Sequence, residues 1–373
     1  MLAKSHHADY KLIVVTGLLV VFGLVMLSSS GAVIAYQKFD DSYFFVKKQV
    51  VLGLIPGLVL AYIFSRIHYR VWKKFAGPLL VASIVLLISV FIPGIGSTHN
   101  TGSHSWLIIA GYSLQPSEIV KLTFLLYLAT WFEVRGESGV KKISDGFAPF
   151  IFVLGIIMLL MILQPDIGTM MIIVFIALSM YFVAGAHIKH LLMVSFGGLL
   201  LLFTLIKLAP YRLARFTIFL NPELDPQGIG YHINQAFLAI GSGGLFGRGF
   251  GQSRQKFNYL PEITGDSIFA IIAEELGFFL TVAFVAIFVF FAYKGYKIAF
   301  TSPDIFGKLL AVGITSWIIF QSFINIGAMV GLLPITGVPL PFISYGGTAM
   351  MMNLAAVGIL INVSKYTRER KHL

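Results

Sequence analysis

The chain has 373 residues, of which 57% are hydrophobic and only 12% charged, and its mean hydropathy is +0.88. Soluble domains carry about a quarter charged residues, so this chain has too little polar surface for a water-soluble particle. A cytosolic enzyme, a disordered chain and a nucleic-acid-binding module are thereby excluded, and the net charge of +11 reads as membrane topology instead of nucleic-acid affinity.

A bilayer core of about 30 Å is crossed by about 20 apolar residues. Ten such segments lie near 12–35, 47–64, 75–92, 117–133, 147–164, 168–185, 191–209, 266–293, 308–332 and 347–363. They predict an all-α polytopic membrane protein with ten transmembrane helices in a single membrane domain over 1–373. The first run is followed by the small residues Ser28-Ser29-Ser30-Gly31-Ala32, but its length and the nine spans behind it predict an uncleaved anchor. Cations alternate between connections. Arg66, Arg70, Lys73 and Lys74, then Arg135, Lys141 and Lys142, then Lys189, then Lys294, Lys297 and Lys308, and finally Lys365, Arg368, Arg370 and Lys371 share one side with Lys4. Short loops rich in Lys and Arg stay inside, which predicts cytoplasmic N- and C-termini. On the other side the connections near 36–46, 93–116 and 333–346 are moderate, whereas 210–265, between helices 7 and 8, is a large outward loop. Long ordered loops tend to carry function.

There is no cysteine, so a disulfide framework, a thiolate metal site and a thiol nucleophile are unavailable. No P-loop, zinc-ligand spacing or Ser–His–Asp pattern is present, no cofactor is evident, and a divalent cation is an open option without a ligand motif. Glu118 and Asp166 follow Gln115-Pro116-Ser117 and Gln164-Pro165, where capping and the helix macrodipole explain an acid. Asp266 differs: it opens the apolar run Ser267-Ile268-Phe269-Ala270-Ile271-Ile272 at the water–hydrocarbon boundary. Partial desolvation there raises the pKa of an acid and suits it to general-base work, while a plain N-cap is the structural alternative. Glu262 lies four residues before it, and Glu274 and Glu275 sit deeper, where an acid needs a polar cavity or a cationic partner. Arg212, Arg215, Arg248, Arg254 and Lys256 supply positive charge in the large loop. The Gly-rich run 241–249 lets backbone approach a ligand closely. Together these features suit a ligand with a lipid tail and a phosphate-bearing head.

The residues Gly230-Tyr231-His232-Ile233-Asn234-Gln235, Gly244-Leu245-Phe246-Gly247, Gly251-Gln252-Ser253-Arg254-Gln255-Lys256, Tyr259-Leu260-Pro261-Glu262, Asp266 and Glu274-Glu275-Leu276-Gly277 form one signature. Leu333-Pro334 and Gly337-Val338-Pro339-Leu340-Pro341-Phe342-Ile343-Ser344-Tyr345-Gly346-Gly347 form a second. On these the chain resembles, along its whole length, the SEDS family (shape, elongation, division and sporulation), and its FtsW/SpoVE branch more than RodA. The resemblance implies a peptidoglycan glycosyltransferase of septal wall synthesis. Such an enzyme polymerises lipid II on the outer face of the bacterial cytoplasmic membrane, beside a class B penicillin-binding protein and other divisome proteins. It implies that Asp266 is the essential acid, with Glu262 beside it. Arg215, Arg254, Lys256 and Arg212 are expected near the pyrophosphate, and Gln235, Glu118 and Ser344 along the substrate path. A lipid II flippase and a non-catalytic scaffold are the alternatives. Gathering of acids and bases at the outer boundary favours catalysis, whereas a transporter would hold them at the midplane. This chain departs from the family pattern at Gly265 and Ser267, where Thr and Phe often flank the aspartate. It departs also at His104-Ser105, where Arg-Arg often precedes Trp106, and at Ile335-Thr336-Gly337, where some division enzymes carry Lys.

Overall fold

The computed structural model describes residues 6–94, 96–97, 105–109 and 112–367. Lys4, His104, Arg368, Arg370 and Lys371 lie outside the described residues. Helix α1 (Tyr10–Ser30) starts at Asp9, whose carboxylate accepts the amides of Lys11 and Leu12, as an Asp N-cap does. After Gly31 the chain runs as the short α2 (Ala32–Phe39) and turns back. Then α3 (Phe44–Gln49), a π turn (Val50–Leu54) and α4 (Ile55–Arg66) join into one crossing, and α5 (Trp72–Ser89) returns.

The segment expected as a plain loop near 93–116 instead holds a small antiparallel sheet of β1 (Gly96–Ser97), β2 (Trp106–Ile109) and β3 (Tyr112–Leu114), in that order. Its register sets Leu107 against both Gly96 and Leu114. Strands this short fall below any window long enough to detect a membrane span, so hydropathy passes over them.

Helix α6 (Pro116–Lys141) follows, then α7 (Ala148–Leu163), α8 (Ile167–Val183) and α9 (Ile188–Leu208). The large loop is not irregular: it contains α10 (Pro210–Leu220) and α11 (Ile229–Gly243). The last crossings are α12 (Ile268–Thr301), α13 (Ile305–Met329) and α14 (Gly347–Ser364). Eight crossings are long and apolar enough by length and composition. The other two are α8, which is apolar but only 17 residues long, and α6, which carries Glu118, Lys121, Glu133 and Arg135. These ten elements fall on the ten apolar segments of the sequence.

Helix α13 is central, packing on α6, α8, α12 and α14. It places Thr315, Ser316, Gln321, Ser322 and Asn325 in the interior. In lipid, apolar side chains are content outside, and polar ones face other helices where they find partners. Helix α9 is the opposite case, touching mainly α8 and α10.

Two glycines make a backbone junction that no other residue allows. α12 breaks at Gly277 (φ 72°), freeing carbonyls before it and amides after it. The Gly-rich run supplies the partners: Arg248 and Gly249 amides donate to the carbonyls of Glu274 and Glu275, and the Phe278 and Phe279 amides donate to those of Gly244 and Leu245. The close approach expected toward a ligand is instead made to the helix itself. At Gly247 (φ 80°) a Cβ would lie 2.2 Å from the Glu275 carbonyl oxygen, whereas at Gly244 (φ 56°) it would meet nothing within 4 Å. Gly244→Ala is expected to destabilise by the about 1–3 kcal/mol of its backbone strain (φ 56°, ψ −148°), and Gly247→Ala by more, since it adds the clash with Glu275. Thermal unfolding in detergent checks both.

Candidate active site

The end of the bundle that gathers α10, α11 and residues 244–267 is here termed the loop end, and the opposite one the basic end. The stretch Pro261–Ser267 makes a tight turn just ahead of the α12 span. The Glu262 carbonyl accepts the amides of Gly265 (2.9 Å) and Ser267 (3.2 Å), and Glu262 itself is held at φ 50°. A left-handed non-glycine residue is a strained feature that surrounding contacts must enforce. They do so at three successive carbonyls. That of Thr264 accepts the Tyr345 amide at 2.7 Å, that of Gly265 the Ser344 hydroxyl at 2.6 Å, and that of Asp266 the Asn325 side-chain amide at 2.8 Å. Asn325 also donates to the Val338 carbonyl, and the Ser344 hydroxyl accepts the Leu340 amide. The second signature is thus the brace of the first.

So fixed, the Asp266 side chain is 9% exposed, and its Oδ1 is buried without a partner. Residue 267, not 266, occupies the N-cap of α12, and no side chain caps that helix. Capping therefore does not account for Asp266. Burial pushes its carboxyl up to about 7 and the negative Glu262 adds to the rise, against the opposing pull of Arg215 and the Ser267 hydroxyl. A carboxylate with that proton affinity can take a proton near neutral pH.

Beside it lies a cavity of about 220 Å³ lined by Arg215, Ile218, Phe219, Gly228, His232, Ile233 and Ile335. His232, on α11, faces Ser267 with Nε2 at 2.6 Å from Oγ. Burial and the Arg215 charge press the imidazole down to about 4, so it is neutral at physiological pH. A larger hollow of about 580 Å³ sits at the basic end among Arg135, Lys142 and Asp145. It holds no buried acid: Arg135 donates to the Asp145 carbonyl, and Lys142 stands 3.7 Å from the Asp145 carboxylate.

The structure brings Asp266, Glu262 and Arg215 together and adds His232 and Asn325, which sequence spacing does not mark. Gln235 lies one turn beyond His232 on α11. The remaining cations and acids are elsewhere. Lys256 is buried, with Nζ 3.3 Å from the Glu275 carboxylate and bonded to the Gly251 carbonyl. Glu275 also accepts the Ser29 hydroxyl at 2.6 Å. Glu274 accepts the Ser253 hydroxyl and the Arg254 amide and pairs with Arg248 at 3.5 Å. Glu274 and Glu275 thus bind the loop to α12 and α1. Arg254 contributes its backbone amide to this clamp and is exposed. Arg212 reaches back to the Leu205 carbonyl and the Tyr211 hydroxyl. Asp166 caps α8 through the Thr169 amide, as expected. Glu118 is paired with Lys121 inside the bundle at 2.7 Å. Among the described residues, no three His, Asp or Glu side chains converge as a metal site.

The sequence and the helical bundle match known proteins. The family model for FtsW, RodA and SpoVE, described as cell cycle protein, matches residues 10–369. Stage V sporulation protein E of Bacillus subtilis (strain 168) is 42% identical over 99% of this chain and 100% of its own length. The probable peptidoglycan glycosyltransferase FtsW of Geobacter sp. (strain M18) is 36% identical over 96% of this chain and 97% of its own. Among solved structures, a chain of a peptidoglycan synthase complex that coordinates polymerization and crosslinking superposes with a TM-score of 0.78 at 27% identity. It covers 97% of this chain and 99% of its own. Rod shape determining protein RodA of Thermus thermophilus gives 0.71 at 27% identity, over 97% and 98%. The protein is a multi-pass membrane protein, and it belongs to the FtsW/RodA/SpoVE family.

Proposed function

We propose that the chain is a peptidoglycan glycosyltransferase that polymerises lipid II into glycan strands on the outer face of the bacterial cytoplasmic membrane, in septal wall synthesis. The observation that carries this is a buried carboxyl with proton affinity near neutrality, braced at the bundle's loop end beside an Arg-lined cavity. The relatives named as glycosyltransferases, and the resemblance across the whole chain, support it.

In this reading Asp266 takes the proton of the acceptor sugar hydroxyl as that oxygen attacks the anomeric carbon. The bond to the undecaprenyl pyrophosphate breaks, and the leaving group's developing charge falls to Arg215, with exposed Arg254 on the same loop. Glu262 keeps Asp266 basic. Lys256 holds the fold through Glu275, Arg212 and Gln235 stand on α10 and α11, the helices that line the cavity, and Ser344 steadies the acid's turn. Glu118 supports the bundle behind them. The reading invokes no cofactor.

The test is lipid II polymerisation by the purified chain in liposomes, with and without its class B penicillin-binding protein. Glycan strands are expected, and their absence even with the partner would move the flippase reading ahead, to be assayed as transbilayer lipid II movement. The orientation is checked separately, because the chain lacks cysteine. Exposed Glu223→Cys in the large loop is expected to react with an impermeant maleimide on intact spheroplasts, and exposed Glu137→Cys at the basic end only after lysis. The reverse pattern would overturn the assignment of sides.

A further inference from the structure

The hollow of about 580 Å³ at the basic end has no part in the chemistry at Asp266, yet its walls are chemically specific. It forms where two irregular stretches of backbone meet. Helix α6 breaks at Gly136 (φ 62°), and its last turn leads through Lys142 into a π turn, Ile143–Phe147, that opens α7. Arg135, just before the break, is fixed twice. Its guanidinium lies 3.9 Å from the centre of the Trp131 ring, and its Nε donates to the Asp145 carbonyl at 2.6 Å. Among the described residues no acceptor takes its Nη hydrogens. Lys142, Ser138 and Ser144 line the same hollow. Lys142 stands 3.7 Å from the Asp145 carboxylate, longer than a hydrogen bond, and both side chains are largely exposed. Asp145, which also accepts the Ser144 hydroxyl, is the one acid in the wall, against two cations. A guanidinium held in place, an ammonium and two hydroxyls make a donor set suited to a phosphate.

The height of the hollow says where that phosphate comes from. Arg135 follows Pro116 along the unbroken part of α6 by a rise of about 28 Å, close to the thickness of a bilayer core. Beside it Val134 and Ile143 are 76% and 67% exposed, which suits acyl chains and not water. We infer that this hollow seats the head of an anionic phospholipid from the adjoining leaflet, its phosphate on Arg135 and Lys142 and its tails against Val134 and Ile143. A choline head brings its own cation toward Arg135 and Lys142 and is disfavoured. A glycerol head brings hydroxyls instead, which can donate to the Asp145 carboxylate as Lys142 turns to the phosphate. The chemistry therefore selects a phosphatidylglycerol-like lipid. This inference is independent of the polymerase reading.

The experiment is native mass spectrometry of the full chain released from detergent micelles, titrated with phosphatidylglycerol or phosphatidylcholine. Phosphatidylglycerol is expected to bind about tenfold more tightly at its strongest site. Arg135→Gln and Lys142→Gln are each expected to weaken that site about tenfold, the loss of one charge-assisted hydrogen bond. Lys297→Gln, an exposed cation at the same end, is expected to change nothing. Equal retention of the two lipids, or variants that bind as the natural chain does, would overturn the inference. So would an equal loss in Lys297→Gln, which would show diffuse attraction of anionic lipid to the basic end. Glycerol 3-phosphate, which has the head without the tails, is expected not to compete at millimolar concentration. Competition would assign the hollow to a free phosphate compound and overturn the lipid assignment. Should Arg135→Gln fail to assemble, Lys142→Gln, at an exposed side chain, decides between the same outcomes.

Discussion

Asp266→Asn is expected to lower lipid II polymerisation at least about 100-fold, the lower bound for loss of a positioned general base, while leaving the fold in place. The substituted amide keeps the side chain's size, and the backbone contacts that brace residues 264–266 do not involve the carboxyl. The natural chain should show an acidic limb with a midpoint near 7, because Asp266 must be ionised to accept a proton and its carboxyl is pushed up to about 7. Below the midpoint the acid is protonated and inactive as a base; above it the rate is full. Glu262→Gln removes the negative neighbour that adds to this rise, so its limb is expected to move to lower pH. Asp266→Asn is also expected to be more stable at pH 8 by about 1 kcal/mol, since a buried carboxylate with an unpartnered oxygen is costly. A variant that polymerises as fast as the natural chain would reduce Asp266 to a structural residue.

Lys121→Met is expected to be among the most destabilising changes in the molecule. Lys121 and Glu118 are both at most 1% exposed, and Nζ lies 2.7 Å from the Glu118 carboxylate and 2.8 Å from Gln321 Oε1. The ammonium also stands 4.8 Å over the Trp317 ring, whose Nε1–H donates to the same Gln321 oxygen. Gln321 in turn donates to the Pro339 carbonyl, which ties this network to the stretch that braces Asp266. Removing the cation alone leaves an uncompensated buried carboxylate, a loss of about 3–5 kcal/mol. The double variant Glu118→Gln/Lys121→Met removes both charges and is expected to recover most of that loss. Thermal unfolding in detergent by fluorescence-detected chromatography separates the two, and a double variant no better than the single would show that the pair itself is not the source.

Much of the architecture was legible in the sequence. All ten crossings, the long connection and the acid at its end can be read from hydropathy and charge. The sheet at β1–β3 and the helices α10 and α11 were not, because short strands and amphipathic turns have no signal in a window of membrane length. Spacing did not show where the Lys256 side chain turns. Lys256 lies six residues before Glu262, yet its ammonium is turned toward Glu275 and Ser29, the latter 227 positions away. The Gly-rich run had the expected close approach, but to the broken backbone of α12 and not to a ligand.

The division has a physical origin. Transfer of a helix into lipid is a sum over consecutive side chains, and loop charge acts where it stands, so the spans and the position of Asp266 at a boundary are properties of the sequence by itself. Pairing of buried polar groups depends on which helix faces which. Lys121 meets Gln321 across 200 positions, Ser29 meets Glu275 across 246, and His232 meets Ser267 across 35. Hydrocarbon offers these groups no other partner, so the tertiary structure alone decided that, of the buried acids among the described residues, Glu118, Glu274 and Glu275 are bound in ion pairs and Asp266 is not.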